Sequence, residues 1–524
     1  MKVLFVWPNM DFFGCKPIAI SLLAGIARNE GWETRLYDTS AIDFGFVERK
    51  EAIERAKIVK PVDLTKFGHK REQIDLASDF ARVLEEYNPD CLAISVLSDE
   101  AFIADRISTL AKKVFPHLPI IWGGKYPTID PARALRRHDI DFVCVGEGLD
   151  AFGEFLSALA GKEDLTHIPN IWAKSRDGEI IAQSIRPLRD TLDDLPFLYW
   201  DIFADSQFYR PYEGNVYRSG DHMLNWGCPN HCTYCINHLY HKMYKNKYFM
   251  RRYSIERIIN ELKFLTDRYS LQFFRFFDED FLMRPLRNFA ELSEAYKSEV
   301  NLPFVIETNP KSVTKEKVKL LKNMNCVSAS LGVETGDPHL RKNILGRVDT
   351  EEEIIRAFRL LNDAGIRTSS FIMLGIPFET RKTYEKTIEV LKKAQVQYPS
   401  AAFFFPYEGT ELREISIRNG FFAPQGQEGL VYKHDEPTLH FDALDKNELI
   451  VMREVFNLYV KLPEDFKYYI RRSESPDSIG KKLRKKLVAI YDETVFQNNG
   501  WYKDEGLKDT YIGELELLVQ EAQS

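Results

Sequence analysis

Residues 224–236 read Leu-Asn-Trp-Gly-Cys-Pro-Asn-His-Cys-Thr-Tyr-Cys-Ile, and they hold three closely spaced cysteines. Cys228, Cys232 and Cys235 stand in a C-x3-C-x2-C arrangement. Three thiolates from one tight loop can hold three corners of a cubane iron–sulfur cluster, whose usual protein ligand is cysteine. The fourth iron then stays open for a substrate or cofactor, as catalytic metal sites generally require. Gly227 and Pro229 favour the sharp bend that turns the sulfurs inward. Tyr234 could place an aromatic face beside whatever binds the open iron. The alternative is a structural zinc site completed by His222, His231 or His238. Zinc sites usually add a second distant cysteine pair. The other cysteines, Cys15, Cys91, Cys144 and Cys326, are isolated, so the spacing favours the cluster.

These residues sit in a chain long enough, at 524 residues, for two or three domains. A net charge of −7 with 28% charged residues argues against a broad nucleic-acid-gripping surface. No apolar run approaches the roughly 20 residues of a membrane span. The opening Met-Lys-Val-Leu-Phe-Val-Trp-Pro-Asn goes directly into a strand-like run and lacks the h-region of a signal peptide. Seven cysteines, three clustered and the rest scattered, suit a reducing compartment. The expected location is cytoplasmic.

Upstream of the cysteines, residues 1 to about 160 alternate strand and helix patterns. Strand-like runs at Val3–Trp7, Thr34–Tyr37, Cys91–Leu97, Ile120–Trp122 and Phe142–Val145 alternate with helical periods at Ile18–Arg28, Leu76–Tyr87 and Phe102–Val114. Such alternation predicts a doubly wound parallel sheet, with ligands beyond the carboxyl ends of its strands. The loops there are Asn9–Lys16, Ser95–Asp99, Gly123-Gly124-Lys125-Tyr126-Pro127-Thr128 and Gly146-Glu147-Gly148-Leu149. None is a G-x-G-x-x-G turn opening the first helix, so a nicotinamide cofactor is poorly supported. Residues 40–75 form a charged, partly helical insertion. Ile171–Ile181, with Asp177-Gly178 in its middle, reads as a hairpin in a linker.

From Met223 the alternation resumes six times, with strands expected at Met223–Trp226, Phe273–Phe277, Phe304–Glu307, Val327–Leu331, Ser369–Leu374 and Ala402–Phe405. Between them lie helical stretches such as Ile255–Leu265, with Ser254 placed to cap it. Six β/α units predict a partial barrel with its site at the strand carboxyl ends. Those ends read Asp278-Glu279-Asp280, Thr308-Asn309, Gly332-Val333-Glu334-Thr335-Gly336 and Gly375-Ile376-Pro377-Phe378-Glu379. A lone strand-end carboxylate is usually a solvated turn residue, but Glu334 between two glycines is a better candidate. The basic, aromatic run His241–Arg252 reads as a mobile surface strap near an anionic substrate. Lys446–Val460 and Lys481–Val495 predict a helical end, with Lys481–Lys486 on a solvated face.

The cysteine loop, with its aromatic before the third cysteine, resembles the signature of the radical S-adenosylmethionine (SAM) enzymes. Gly332–Gly336 resembles that family's G-x-E-x-G motif. Gly375-Ile376-Pro377 resembles the strand end that runs beside the adenine, and Pro406-Tyr407-Glu408-Gly409-Thr410 a terminal barrel motif. Upstream, Ser95-x-Leu97, Gly123-Gly124 and Gly146-Glu147-Gly148 look like the cobalamin-binding domain fused ahead of many such enzymes. The resemblance spans about residues 1 to 412. It implies a Rossmann-like cobalamin-binding domain (1–165), a linker with a hairpin (166–218), a partial (β/α)6 radical SAM barrel (219–440) and a helical C-terminal region (441–524).

Carried over residue by residue, the resemblance assigns the metal to Cys228, Cys232 and Cys235. It assigns SAM to Tyr234, Gly332, Glu334, Gly375 and Ile376, and cobalamin to Ser95, Leu97, Gly123, Gly124, Lys125, Gly146, Glu147 and Gly148. Cobalamin domains that ligate cobalt carry D-x-H-x-x-G after the first strand. Here that loop is Asn9-Met10-Asp11-Phe12-Phe13-Gly14-Cys15, with no histidine. The expectation is a base-off cobalt whose lower face is covered by Phe12 or Phe13. The implied cofactors are a [4Fe–4S] cluster, SAM and cobalamin, with an external donor such as flavodoxin or ferredoxin. The implied reaction begins with a 5′-deoxyadenosyl radical taking hydrogen from a substrate carbon. In the commonest family chemistry, methylcobalamin then methylates that carbon and a second SAM remethylates the cobalt. Cyclisation or rearrangement without methyl transfer, and a non-catalytic cobalamin- or metal-binding protein, are the alternatives. No catalytic side chain beyond these is singled out.

Overall fold

Strand β1 (Lys2–Trp7) is apolar on both sides, and the reason is that both sides are covered. Leu4 and Val6 join a core with Phe80, Leu84 and Ile107, while Val3 and Phe5 join another with Ile20 and Phe152. A strand buried on two faces reads as a continuous apolar run. The computed structural model describes all residues except 13, 46–50, 52, 53, 55, 56, 58, 138, 176, 246–250, 424–435, 442, 443 and 521–524. Parallel to β1 lie β2 (Glu33–Asp38), β3 (Cys91–Ser95), β4 (Ile120–Gly123) and β5 (Phe142–Cys144), in the order β2-β1-β3-β4-β5. The strand order reverses between β1 and β3, which is where ligands bind in sheets of this order.

The hairpin strands β6 (Ile171–Lys174) and β7 (Ile180–Ile181) turn at Gly178, whose φ is +83°. They do not lie in a free linker. β6 pairs antiparallel with β5 and extends the first sheet. Apolar Ile171 and Ala173 face the core on one side of β6, which ties the hairpin to that sheet.

The second sheet begins with β8 (Tyr209–Tyr212), antiparallel to β9 (Asn215–His222). A short ribbon follows, formed by β10 (Asn225–Trp226) and β11 (Arg251–Arg252). Then come β12 (Phe273–Phe276), β13 (Phe304–Thr308), β14 (Cys326–Glu334), β15 (Arg367–Leu374) and β16 (Tyr398–Phe403). β9 and β12 to β16 are parallel neighbours in chain order, giving the six-stranded partial barrel. The expected first barrel strand, Met223–Trp226, is therefore corrected to β9, and the last begins earlier than Ala402. β9 gives no apolar signal because its buried residues are polar. Asp221 is fully buried against Lys16 and Arg275, and His222 sits 3.2 Å from Glu261.

Local sequence fixes the helices. Ser254 caps Ile255–Tyr269 by accepting from Arg257 N, as expected, and Thr350 with Glu353 forms a capping box at Glu351–Asp363. The C-terminal helix Lys446–Lys461 packs Met452 and Phe456 beside Tyr384, whose hydroxyl donates to Met452 O at 2.8 Å. The insertion after β2 reaches these helices through Lys57–Asp492 at 2.8 Å.

Candidate active site

The cysteine loop is pinned from three sides. Thr233 N donates to Leu345 O at 3.1 Å, its hydroxyl donates to Ile344 O at 2.7 Å, and Leu412 N donates to Thr233 O at 2.8 Å. Gly346, at φ +67°, approaches so closely that an added Cβ would lie 2.9 Å from His231 O. The carboxylates expected to be ordinary turn residues prove to be clamps. Asp278, fully buried, accepts from Leu224 N at 3.1 Å and from Asn225 N at 2.6 Å. Glu279 accepts from Gly227 N at 3.2 Å. Asp280 accepts from the Thr308 and Ser312 hydroxyls, both at 2.5 Å.

Within this frame all three cysteines are unpaired thiols. Burial pushes Cys228 up to about 12 and Cys232 up to about 11, and raises Cys235. Asn230 Nδ2 contacts Cys228 Sγ at 3.4 Å. Among the described residues, no three His, Cys, Asp or Glu groups converge on one ion-sized point. Three thiols on one pinned loop suit a cubane, which takes its cysteines on separate irons, so the donor set fits a cluster. Of the histidines named for zinc, His222 is committed to Glu261, and His238 lies 3.4 Å from Glu411.

Beside the loop, Tyr234 and Glu334 meet, as their motifs suggest. The Tyr234 hydroxyl donates to Glu334 Oε1 at 3.2 Å. β14 slips register between Gly332 and Glu334, and Glu334 adopts φ +66°, a left-handed conformation uncommon for a non-glycine residue and here held at a strand end. Gly332 makes room for it, because an added Cβ would stand 2.6 Å from Glu334 Oε1. Gly336 serves packing instead, with Thr387 Cα 2.5 Å from where its Cβ would be. Burial raises the Glu334 carboxyl above its usual range.

The residue that sequence reasoning missed is Arg347. Its Nη1 donates to the Tyr234 hydroxyl at 3.0 Å and stands 3.6 Å from Glu334. Its Nη2 donates to Gly332 O at 2.6 Å, and its Nε to Asp349 at 2.9 Å. No motif marks it, and only the long-range docking of Leu345 on Thr233 brings it here. Gly375, at φ +70°, donates its N–H to Glu379 at 2.5 Å, and Ile376 is buried in the cluster against which Tyr234 packs.

The first sheet supplies the opposing loops. Ser95 and Gly123 are register partners at the ends of β3 and β4. Gly124 has φ +99° and lies so near that an added Cβ would be 2.8 Å from Val96 O. Leu97 stays 39% exposed, and Lys125 is exposed within electrostatic range of Cys235. An open strand-end cradle built from glycines and one apolar side chain fits a large flat cofactor such as a corrin.

Three of these regions make further contacts. Glu147 is paired with Arg251 at 2.5 Å across the domains, so it is an interdomain tie. Tyr244 stands over Gly146, its hydroxyl accepting from Glu147 N at 2.9 Å. Within the run His241–Arg252, expected as a surface strap, Tyr244 and Arg251 are buried between domains while Lys242, Lys245 and Arg252 stay exposed; Asn246–Met250 lie outside the described residues. Phe12 is buried and stacks on His69 at 5.0 Å, with His69 Nε2 at 2.8 Å from Ser206 O; Phe13 lies outside the described residues.

Comparison with known proteins agrees with this geometry. Residues 226–391 match the model of the radical SAM superfamily, and residues 13–156 match the B12 binding domain. The chain is 26% identical over 344 residues to the uncharacterized methyltransferase PH0819 of Pyrococcus horikoshii, covering 65% of this chain and 72% of that one. It is 23% identical over 468 residues to cytidylyl-2-hydroxyethylphosphonate methyltransferase of Streptomyces wedmorensis, covering 81% and 83%. It is 22% identical over 388 residues to anaerobic magnesium-protoporphyrin IX monomethyl ester cyclase of Rubrivivax gelatinosus, covering 72% and 66%. The fold is shared with the cobalamin-dependent SAM radical enzyme OxsB, at TM-score 0.65 and 14% identity over 95% of this chain and 71% of that one. No described helix is long and apolar enough to cross a membrane. The chain belongs to the radical SAM superfamily with a B12-binding domain ahead of the barrel, and it is a cobalamin-dependent radical SAM enzyme whose cofactors are a [4Fe–4S] cluster, SAM and cobalamin.

Proposed function

We propose that this enzyme C-methylates an unactivated carbon of a small-molecule substrate. The observation that carries the reading is that the cradle of one domain faces the cysteine loop of the other. Lys125 lies in electrostatic range of Cys235, and Tyr244 of the cysteine-bearing segment stands on Gly146. Two cofactor sites held face to face are what a reaction needs when hydrogen leaves a carbon and a methyl group arrives at it. When bound, the three cofactors supply the reducing electron, the hydrogen-abstracting radical and the methyl group.

The chain's own residues bind and orient. Cys228, Cys232 and Cys235 hold iron and leave one position open. Glu334, raised in pKa by burial yet kept beside Arg347, offers a carboxylate to an ammonium group, and Arg347 balances it. The Tyr234 hydroxyl bridges the two and fixes the carboxylate's orientation. Glu379 holds the Gly375 turn, which keeps the apolar Ile376 edge in place for an adenine ring. Ser95, Leu97, Gly123 and Gly124 form the corrin cradle, and the Glu147–Arg251 pair fixes its distance from the barrel.

Two of the relatives described carry methyltransferase names, and one is a cyclase. Product mass separates these readings. Reconstituted enzyme given its substrate should add one methylene per turnover, and a product that has only lost hydrogen would replace methylation with cyclisation or oxidation.

A further inference from the structure

The concave face of the barrel carries a guanidinium whose Nη2 has no hydrogen-bond partner among the described residues. On β12, Phe274 and Phe276 pack outward with Tyr296 and Phe304, so Arg275 between them points inward by strand alternation. Its register partner on β9 is Asp221, itself fully buried. Arg275 Nε donates to Asp221 Oδ1 at 2.8 Å, and the guanidinium lies 5.1 Å from the Phe277 ring centre. These contacts fix the plane of the group. They use one of its five N–H donors. Among the described residues Nη2 is buried without a partner, although the side chain keeps 16% of its surface open.

Asp221 cannot satisfy the remaining donors. Its other oxygen accepts from Lys16 N at 2.8 Å and lies 3.4 Å from Lys16 Nζ. Arg210, also buried, adds a third cation, donating to Gly14 O at 2.8 Å. Desolvation and this crowding pull Lys16 down to about 7 and Arg210 down to about 10. Glu307 and the Cys15 thiol lie within electrostatic range of Arg275. Leaving a buried N–H unpaired is costly, and native proteins seldom leave one without a use. The same face holds the Ser330–Ser369 hydroxyl pair, 2.7 Å apart, and Phe371, which remains 38% exposed. Arg275, the Ser330–Ser369 pair and Phe371 thus give the inward strand faces both polar and apolar groups.

We propose that Arg275 is the specificity residue for the substrate, and that it receives a terminal oxyanion, a carboxylate or a phosphoryl-type group, on its Nη1–Nη2 edge. The planar fork matches two oxygens of such a group. Asp221 and Phe277 hold that fork in place before substrate arrives. The substrate would then lie along the barrel with its anion at β12 and its reacting carbon toward Glu334 and the cysteine loop. This rests on the methylation reading only for the identity of the reacting end, since the anion site stands on Arg275 itself.

The test measures binding without turnover. Full-length cobalamin-loaded protein is titrated with inorganic phosphate, with acetate and with neutral acetamide, and followed by calorimetry. Phosphate or acetate should bind saturably, whereas acetamide should not. Arg275→Gln should weaken the bound anion at least tenfold, and Arg275→Lys, which keeps the charge beside Asp221 but loses the fork, should give an intermediate value. Preference between phosphate and acetate distinguishes the two substrate classes. Equal binding by Arg275→Lys and wild type, or absence of saturable anion binding in the wild type, would overturn the proposal. Binding seen only in cobalamin-free protein would overturn it too, because the anion site would then belong to the cofactor's own phosphate. Failure of the methylation reading is seen separately, in the mass of the product.

Discussion

Arg347 is the sharpest place to perturb the site, because it serves two buried carboxylates at once. It stands 3.6 Å from Glu334 and donates to Asp349 at 2.9 Å, and its own side chain is only 6% exposed. Arg347→Met keeps much of the volume but leaves both acids without their cation. Breaking a buried pair by removing one partner costs about 3–5 kcal/mol. Glu334→Gln alone keeps an acceptor for the Tyr234 hydroxyl and should cost about 1–2 kcal/mol. The double variant removes one of the two stranded charges. It should therefore be about as stable as Arg347→Met, so that the cost of Glu334→Gln disappears, a coupling of about 1–2 kcal/mol and within the range for residues in one network. Denaturant unfolding of the four proteins measures this directly. SAM affinity of the reconstituted proteins should fall about 10-fold or more for Arg347→Met, the weight of a hydrogen bond to a charged group. Strictly additive stabilities, or unchanged SAM affinity in Arg347→Met, would show that Arg347 does not organise this pocket.

Other expectations follow from the same structure. Replacing Cys228, Cys232 and Cys235 together with alanine should abolish iron binding in anaerobically reconstituted protein, which otherwise holds about four irons per cluster; single changes at Cys15, Cys91, Cys144 or Cys326 should leave the iron content intact. Burial pushes Glu379 up to about 8 from an ordinary 4.5. The folded chain thus keeps a proton that the unfolded chain has lost, and stability should fall as pH rises from about 4.5 to about 8, by at most about 1.4 kcal/mol per pH unit from this group. Glu379→Gln should flatten that part of the stability profile, and an unchanged slope would show that the group titrates normally. The β1 loop offers no histidine, and His69 Nε2 is committed to Ser206 O, so the cob(II)alamin paramagnetic resonance signal should lack a three-line nitrogen splitting and be unchanged in Cys15→Ala. A splitting that vanishes in His69→Ala would place His69 under the cobalt and reverse this expectation.

What the sequence revealed follows from the range of the interactions. The cysteine loop, the Gly332–Gly336 motif and both strand–helix alternations are local patterns, and the structure brings Tyr234 and Glu334 together as their motifs imply. Strand β9 was hidden because its inward side chains are polar and gain their partners from Lys16 and Arg275, 205 and 54 positions away. Arg347 was hidden for the same reason, since its role arises from Leu345 O meeting Thr233 N. Asp278 and Asp280 looked like solvated turn residues, yet backbone and hydroxyl donors from other segments make them buried clamps. Tyr244 and Arg251 read as a basic, aromatic surface run until their partners on the Gly146–Gly148 loop were in view. Charge and aromaticity alone carry no information about which distant backbone will cover them.

Methyl transfer between two facing cofactor sites can be measured without substrate. Anaerobically reconstituted, cobalamin-loaded enzyme is reduced and given SAM labelled in its methyl group, after which the corrinoid and nucleoside fractions are weighed by mass spectrometry. Label should appear on the corrinoid, matched by one equivalent of S-adenosylhomocysteine per bound cobalamin. Formation of 5′-deoxyadenosine with neither labelled corrinoid nor S-adenosylhomocysteine would contradict it and leave a radical enzyme that does not methylate.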